Sequence, residues 1–318
     1  MSQPWETLAD RMPALRRRNL VAAGVRAFFG ARGYTEVETP YVVAAPGEEV
    51  HLRPVRAGAG YLHTSPEFAM KKLLAGKAGP IFQLARVWRD EPVSPTHAPE
   101  FTMLEWYAPG AGMAALMDET EALLRAVLPP QVTFAGVTTS LASFERITVA
   151  EAFTRYAGAD VLGTAGDAAA LAASAGAALR GGEDWEDLFF RLLLERVEPA
   201  LGRAHPTFLT HWPAAQAALA RRDPADPRVA ERFELYCAGI ELANAFVELT
   251  DPAEQRTRFT ADRARRHALT GPDWEMDEDF LAALAHMPAC AGIALGFDRL
   301  VMLAAGARYI GDVLWLPP

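Results

Sequence analysis

Phe82-Gln83-Leu84-Ala85-Arg86-Val87-Trp88-Arg89-Asp90-Glu91 and His97-Ala98-Pro99-Glu100-Phe101-Thr102-Met103-Leu104-Glu105-Trp106-Tyr107 decide how this chain folds. Ile81 to Arg89 and Phe101 to Tyr107 are apolar, β-prone runs that read as two strands of one hairpin. The connection, Asp90 to Pro99, contains Pro92, Pro95 and Pro99, too long for a tight turn and too rich in proline for a helix. Long loops between rigid strands often carry function. Side chains of equal parity share a strand face, so Phe101, Met103, Glu105 and Tyr107 face one way and Thr102, Leu104 and Trp106 the other. Arg89 is in step with Gln83, Ala85 and Val87, and Asn244, Phe246 and Glu248 are in step with one another.

Outward from that hairpin, Leu15 to Ala31 has Leu20, Val21, Val25, Phe28 and Phe29 at helical spacing behind Arg16 to Arg18, with Gly33 placed to cap the end. Tyr34 to Val43 is strand-like but broken by Pro40, as suits an edge. Met113 to Leu128 reads as a helix, and Ser143 to Tyr156 begins another. Residues 157 to 185 form an Ala/Gly-biased tract that reads as a peripheral insertion. Leu188 to Leu201 is an apolar helix, Thr207 to Trp212 a strand, and Ala230 to Leu249 two strand-like segments around Gly239. A helix at Asp277 to Ala285, a strand at Gly292 to Phe297 and a helix from Asp298 to Ala305 complete the pattern. Hairpins with helices set around them predict an α+β fold, an antiparallel β-sheet flanked by helices, in a length that suits one large domain or two small ones.

The chain has 318 residues, 51% of them hydrophobic, and 31 Lys plus Arg against 40 Asp plus Glu, for a formal charge of −9. That content suits a substantial core. The acidic balance argues against a generic nucleic-acid coat, which needs clustered basic residues. Met1 to Glu6 lacks the apolar core of a secretory signal, and the longest uncharged run, Ala126 to Phe144, carries Pro129, Pro130 and several hydroxyl residues unsuited to a bilayer. Two cysteines, Cys237 and Cys290, make neither a disulfide framework nor a zinc site. The expectation is a reduced, soluble, cytoplasmic protein with no membrane partner.

Ionised groups on otherwise apolar strands must reach water or be paired. Each strand alone is what any half-exposed sheet produces, but together Arg89, Glu67, Glu105 and Glu248 define a candidate polar cleft. Carboxylates beside aromatic rings favour an ammonium guest, whereas guanidinium groups favour phosphate. Both signs in one place point to an amine and a nucleotide. Gly76-Lys77 lacks the rest of a P-loop, and no Gly-x-Gly-x-x-Gly follows a strand. Cys237 reads as a core thiol. His51, His63, His205, His211, His267 and His286 read as surface or structural residues, and Arg16 to Arg18 and Arg263 to Arg266 as solvated helix faces.

The opening stretch resembles motif 2 of class II aminoacyl-tRNA synthetases of the lysyl type. Gly292-Ile293-Ala294-Leu295-Gly296-Phe297-Asp298-Arg299-Leu300 resembles their motif 3, and Gly33 to Pro40 their motif 1. Thr64-Ser65-Pro66-Glu67 and Gly239-Ile240-Glu241-Leu242-Ala243-Asn244-Ala245-Phe246-Val247-Glu248-Leu249 complete the lysine-type signature. The likeness runs from about residue 15 to residue 305 and implies a single synthetase-like catalytic domain over residues 1–318. Only about fourteen residues precede it, so no anticodon-binding domain is expected, and Ala294 stands where the tRNA-charging enzymes carry glycine. Both features are similar to the branch of the family that ligates lysine, as (R)-β-lysine, to elongation factor P. An added methyl in an amino-acid pocket can change which isomer fits.

The resemblance implies that Arg89 binds the α-phosphate of ATP and the substrate carboxylate, Phe101 stacks on adenine, and Glu91 helps place it. Arg299 and His97 would hold the γ-phosphate end, which makes Arg89 and Arg299 the catalytic pair. Glu234 and Glu241 match magnesium ligands. Their odd spacing needs a bulge or bend, at Gly239, before both reach one ion. Ser65, Glu67, Glu105, Tyr107, Asn244, Phe246, Glu248 and Ala294 would line the lysine pocket. The implied cofactors are ATP and Mg2+, the acceptor is elongation factor P, and the implied assembly is a homodimer with no tRNA partner. Another acceptor, tRNA or a free amine, and a non-catalytic binding subunit remain open alternatives. Pro92-Val93-Ser94-Pro95-Thr96 and the tail Val313-Leu314-Trp315-Leu316-Pro317-Pro318 depart from the family pattern.

Overall fold

A computed structural model describes residues 5–271 and 274–317, so the quoted Met1 to Pro4 and Pro318 lie outside the described residues. The chain divides into two compact units, residues 1–129 with 247–318 and residues 130–246.

The first unit begins with α1 (Leu8–Gly30), longer than its apolar spacing predicts. Val21, Val25, Phe28 and Phe29 are buried, and Phe29 stacks on Phe82 at 4.7 Å and meets Trp106 at 5.2 Å. Leu20 instead faces outward, 63% exposed. Pro40 separates β1 (Thr35–Glu36) from β2 (Val42–Val43), and β2 joins β3 (Arg56–Ala57) and β4 (Gly60–Leu62) in a small sheet of order β2-β4-β3. Helix α2 (Glu67–Ala75) follows.

The predicted hairpin is present as β5 (Ile81–Trp88) and β6 (Glu100–Pro109), antiparallel in the register Ile81↔Tyr107 to Trp88↔Glu100. β1 lies parallel along the far edge of β5. Helix α3 (Met113–Val127) ends the first part of this unit.

The second unit opens with a small hairpin, β7 (Gln131–Phe134) and β8 (Val137–Ser140). Residues read as the start of one helix divide into β9 (Glu145–Thr148) and α4 (Val149–Ala157), because Thr148 and Glu151 form a reciprocal capping box that fixes the helix start. Helix α5 (Ala168–Ala175) occupies the Ala/Gly tract, and its Leu171, Ala172 and Ala175 pack into the core with Phe153, Phe189 and Trp212. Helix α6 (Trp185–Leu192) continues through a π-helical turn, Leu193–Val197. The strands β10 (Thr207–Pro213), β11 (Val229–Cys237) and β12 (Ile240–Val247) are successively antiparallel, and β9 pairs parallel with β10.

The chain returns to the first unit through α7 (Pro252–Thr270), α8 (Glu278–Leu284), β13 (Cys290–Gly296) and α9 (Phe297–Ala305). β13 pairs antiparallel with the free edge of β6, from Cys290↔Pro109 to Gly296↔Met103.

One arginine in each of two basic runs departs from the sequence reading, while Arg16, Arg17 and Arg265 are exposed as read. Arg18 is buried, paired with Asp298, and donates to Thr102 Oγ1 at 2.9 Å and to the Val313 carbonyl at 3.2 Å. Asp298 in turn accepts the Thr102 N–H at 2.7 Å. One ion pair thus ties α1, β6, α9 and the C-terminal tail together. Arg266, also buried, donates to Glu48 Oε2 at 2.8 Å and lies over the Trp274 ring at 4.2 Å. No helix among the described residues is long and apolar enough to cross a membrane.

Candidate active site

Ser65 stands at the entrance to α2. Its hydroxyl accepts the Glu67 N–H at 3.1 Å, in a local hydroxyl turn, and donates to Glu105 Oε2 at 2.7 Å. Tyr107 donates its hydroxyl to the other oxygen, Glu105 Oε1, at 2.6 Å. The parity read from β6 thus places Glu105 and Tyr107 together. Burial, then the charge of Glu67, raises the Glu105 carboxyl to about 8, against the two hydrogen bonds that favour its ionised form.

One turn along α2 from Glu67 is Lys71, a residue the sequence reading passed over. Its ammonium lies 2.6 Å from Glu67 Oε1 and 2.6 Å from Glu248 Oε2, and the side chain is 1% exposed. Burial alone would lower its pKa, but the charges of Glu248 and Glu67 outweigh that and raise it, so Lys71 stays charged. Glu248 is buried and raised to about 7, chiefly by desolvation. Its Oε1 has no hydrogen-bond partner. A Cβ at Gly292 would collide with that oxygen and with the Tyr107 ring, so glycine keeps open the space between them. Ala294 lies opposite Glu105 in the β13–β6 register and therefore on its face.

Arg89, at the end of β5, donates to the Thr64 carbonyl at 3.5 Å and holds its guanidinium 5.3 Å from the centre of the Phe101 ring. Its buried Nε has no partner. Arg299 donates to His97 Nε2 at 2.7 Å, which leaves the His97 proton on Nδ1, 2.8 Å from Ser94 Oγ. The motif 2 loop thereby meets α9. Glu91 sits in the same loop, its N–H turned back to the Arg89 carbonyl at 2.8 Å.

In the second unit, β11 and β12 form a hairpin turned at Ala238 and Gly239, both with positive φ. Their register shifts by one between Leu235↔Ala243 and Tyr236↔Glu241. The extra residue is Leu242, so the required bulge lies there and Gly239 makes the turn. This slip sets Glu241 on the face of Glu234, Asn244 and Phe246. Arg232, also unassigned from sequence, organises that face. It donates to Glu234 Oε1 at 2.6 Å, Asn244 Oδ1 at 3.1 Å and the Gln216 carbonyl at 2.7 Å, and lies 4.1 Å over Trp212.

Tyr236 donates to Glu234 Oε2 at 2.7 Å. Burial, then the charge of Glu241, raises Glu234 to about 7. Two mutually repelling carboxylates suit a hard divalent cation that takes its remaining ligands from water and phosphate. Among the described residues no group of three His, Cys, Asp or Glu forms a self-sufficient metal site. Glu234 and Glu241 are hard oxygen donors of the type magnesium takes.

Residues 9–318 match the family described as tRNA synthetases class II (D, K and N), and the chain belongs to that family. Its α+β fold is the class II synthetase catalytic fold. Among curated proteins it is 43% identical over 330 residues to the elongation factor P–(R)-β-lysine ligase of Proteus mirabilis, covering 98% of this chain and 97% of that protein. It is 44% identical over 326 residues to the ligases of the same name from Klebsiella pneumoniae subsp. pneumoniae and Pectobacterium carotovorum, in each case covering 98% of this chain and 96% of the relative.

Proposed function

We propose that this chain is an ATP-dependent, AMP-forming ligase that activates lysine, as (R)-β-lysine, and transfers it to the ε-amino group of a lysine on elongation factor P. The observation that carries this reading is the pocket in which Ser65 and Tyr107 grip Glu105 while Glu248 keeps an unpartnered oxygen beside Gly292. Buried acceptors with open valences suit an ammonium group, which donates three hydrogen bonds. The names of the relatives supply the acceptor.

In the first step, a substrate carboxylate oxygen bonds to the α-phosphorus and the bond to the departing pyrophosphate breaks. Both reactants are anions, so catalysis rests on holding them in line and neutralising charge. Arg89 is assigned the α-phosphate and carboxylate, Phe101 and Glu91 the adenine, and the Arg299–His97 pair the γ-phosphate end. Glu234 and Glu241 would hold Mg2+, which supplies charge neutralisation on the triphosphate. Ser65, Glu67, Glu105, Tyr107, Asn244, Phe246, Glu248 and Ala294 are assigned the lysine pocket.

In the second step, the acceptor amine bonds to the activated carbonyl carbon, loses a proton and expels AMP. A homodimer in the cytoplasm, acting on a translation factor rather than tRNA, fits this activity. Lysine-dependent ATP–pyrophosphate exchange tests the first step. A flat trace from folded protein overturns it, and charging of bulk tRNA would overturn the assigned acceptor.

A further inference from the structure

Glu49 has no role in the pocket described above, yet its carboxylate feels the charges of Glu67 and Arg89 there. Gly47 has φ of 152°, and a Cβ there would collide with Glu49 Oε2 and stand 3.3 Å from Thr64 Oγ1. The Glu49 carboxylate is therefore folded back over Gly47, beside the residue whose carbonyl receives Arg89 and whose neighbour, Ser65, holds Glu105. The loop is pinned on both sides of this fold. Thr64 Oγ1 donates to the Pro46 carbonyl at 2.9 Å, and Arg266 donates to the Glu48 carbonyl at 3.0 Å as well as to its carboxylate. Those bonds hold Glu48 against α7, while the Glu49 carboxylate stays over Gly47.

Resting on the adenylation reading, we infer that Glu49 is a specificity-determining carboxylate that receives the substrate amino group nearest the carboxyl end. The pocket has two ends. At one, Glu105, Tyr107 and Glu248 surround the space kept by Gly292. At the other, Glu49 takes a hydrogen bond from its own N–H and feels the charges of Glu67 and Glu48 against that of Arg89. Arg89 is the group assigned to the substrate carboxylate, so an amine reaching Glu49 is the one close to that carboxylate. Burial and Glu67 both push the Glu49 carboxyl upward, and an arriving ammonium would relieve that cost. A diamino acid then meets acid groups at both ends, and a shift of one amine by a single carbon changes the fit to Glu49 and leaves the distal end alone.

Exchange kinetics separate this role from a structural one. Lysine and 6-aminohexanoate, which lacks the amine near the carboxyl group, are compared as substrates or mutual competitors of the full chain and of Glu49→Gln and Glu49→Asp. Loss of a hydrogen bond to a charged group should raise KM for lysine by about 10- to 100-fold in Glu49→Gln. The KM for ATP and the inhibition constant of 6-aminohexanoate should move far less, and Glu49→Asp should recover part of the preference. An active parent with an unchanged lysine to 6-aminohexanoate ratio in Glu49→Gln overturns the inference alone. A parent without lysine-dependent exchange overturns the adenylation reading and the inference with it.

Discussion

Lys71 Nζ and Glu248 Oε2 lie 2.6 Å apart, each side chain 1% exposed, although residues 130–246, the whole second unit, fall between them in the sequence. The lysine neutralises part of an acidic pocket from within. Truncating one partner of a buried ion pair strands the other charge, at a cost of about 3–5 kcal/mol. Lys71→Met should lose stability on that scale in urea unfolding. A loss below about 1 kcal/mol, the ordinary range for exposed pairs, would show that the pair is not sealed from water.

Glu105 depends on Tyr107 for one of its two oxygens. Tyr107→Phe keeps the ring and removes only that donor, so lysine KM should rise by about tenfold or more, with ATP KM little changed. Equal damage to both substrates would place the tyrosine in the frame of the site rather than in its amino-acid pocket.

Gly292→Ala puts a methyl where Tyr107 and Glu248 already stand. Lysine-dependent exchange should vanish while ATP still binds, measured by calorimetry. Ala294→Gly removes a methyl on the face of Glu105, and the ratio of kcat/KM for β-lysine over α-lysine should fall by about 10-fold or more, the scale of one methyl group. An unchanged ratio removes Ala294 from isomer selection.

Glu105, raised to about 8, holds a proton at neutral pH in the empty site, while Glu248, raised to about 7 and paired with Lys71, is protonated only in part. For a carboxyl raised by folding, the native state binds more protons than the unfolded state, so stability falls as pH rises from about 5 to 8. A bound ammonium favours the ionised form and expels the proton. Lysine affinity should therefore rise between pH 6 and 8, with proton release visible as a dependence of calorimetric heat on buffer ionisation. Proton uptake would reverse the sign and refute the assigned charge states.

The sequence carried the strands, because apolar runs and parity are local properties. It placed Glu105 with Tyr107 on β6, and it required a bulge between Glu234 and Glu241. It could not say that Leu242 makes that bulge, since the slip is set by pairing across β11 and β12. Lys71, Arg18 and Arg266 were illegible for a shared reason. A charged residue on a helix defaults to solvent, and what buries these three are distant acids: Glu248, Asp298 and Glu48. Lys71 had a hint, its spacing of four from Glu67. Glu49 had none, because a loop carries no periodicity.

The most direct measurement is the intact mass of elongation factor P after incubation with this chain, ATP, Mg2+ and either lysine isomer. The expected result is a gain of one lysyl residue on a single lysine, larger with (R)-β-lysine and absent without ATP. No gain with either isomer, from protein active in lysine-dependent pyrophosphate exchange, would contradict the proposed ligation.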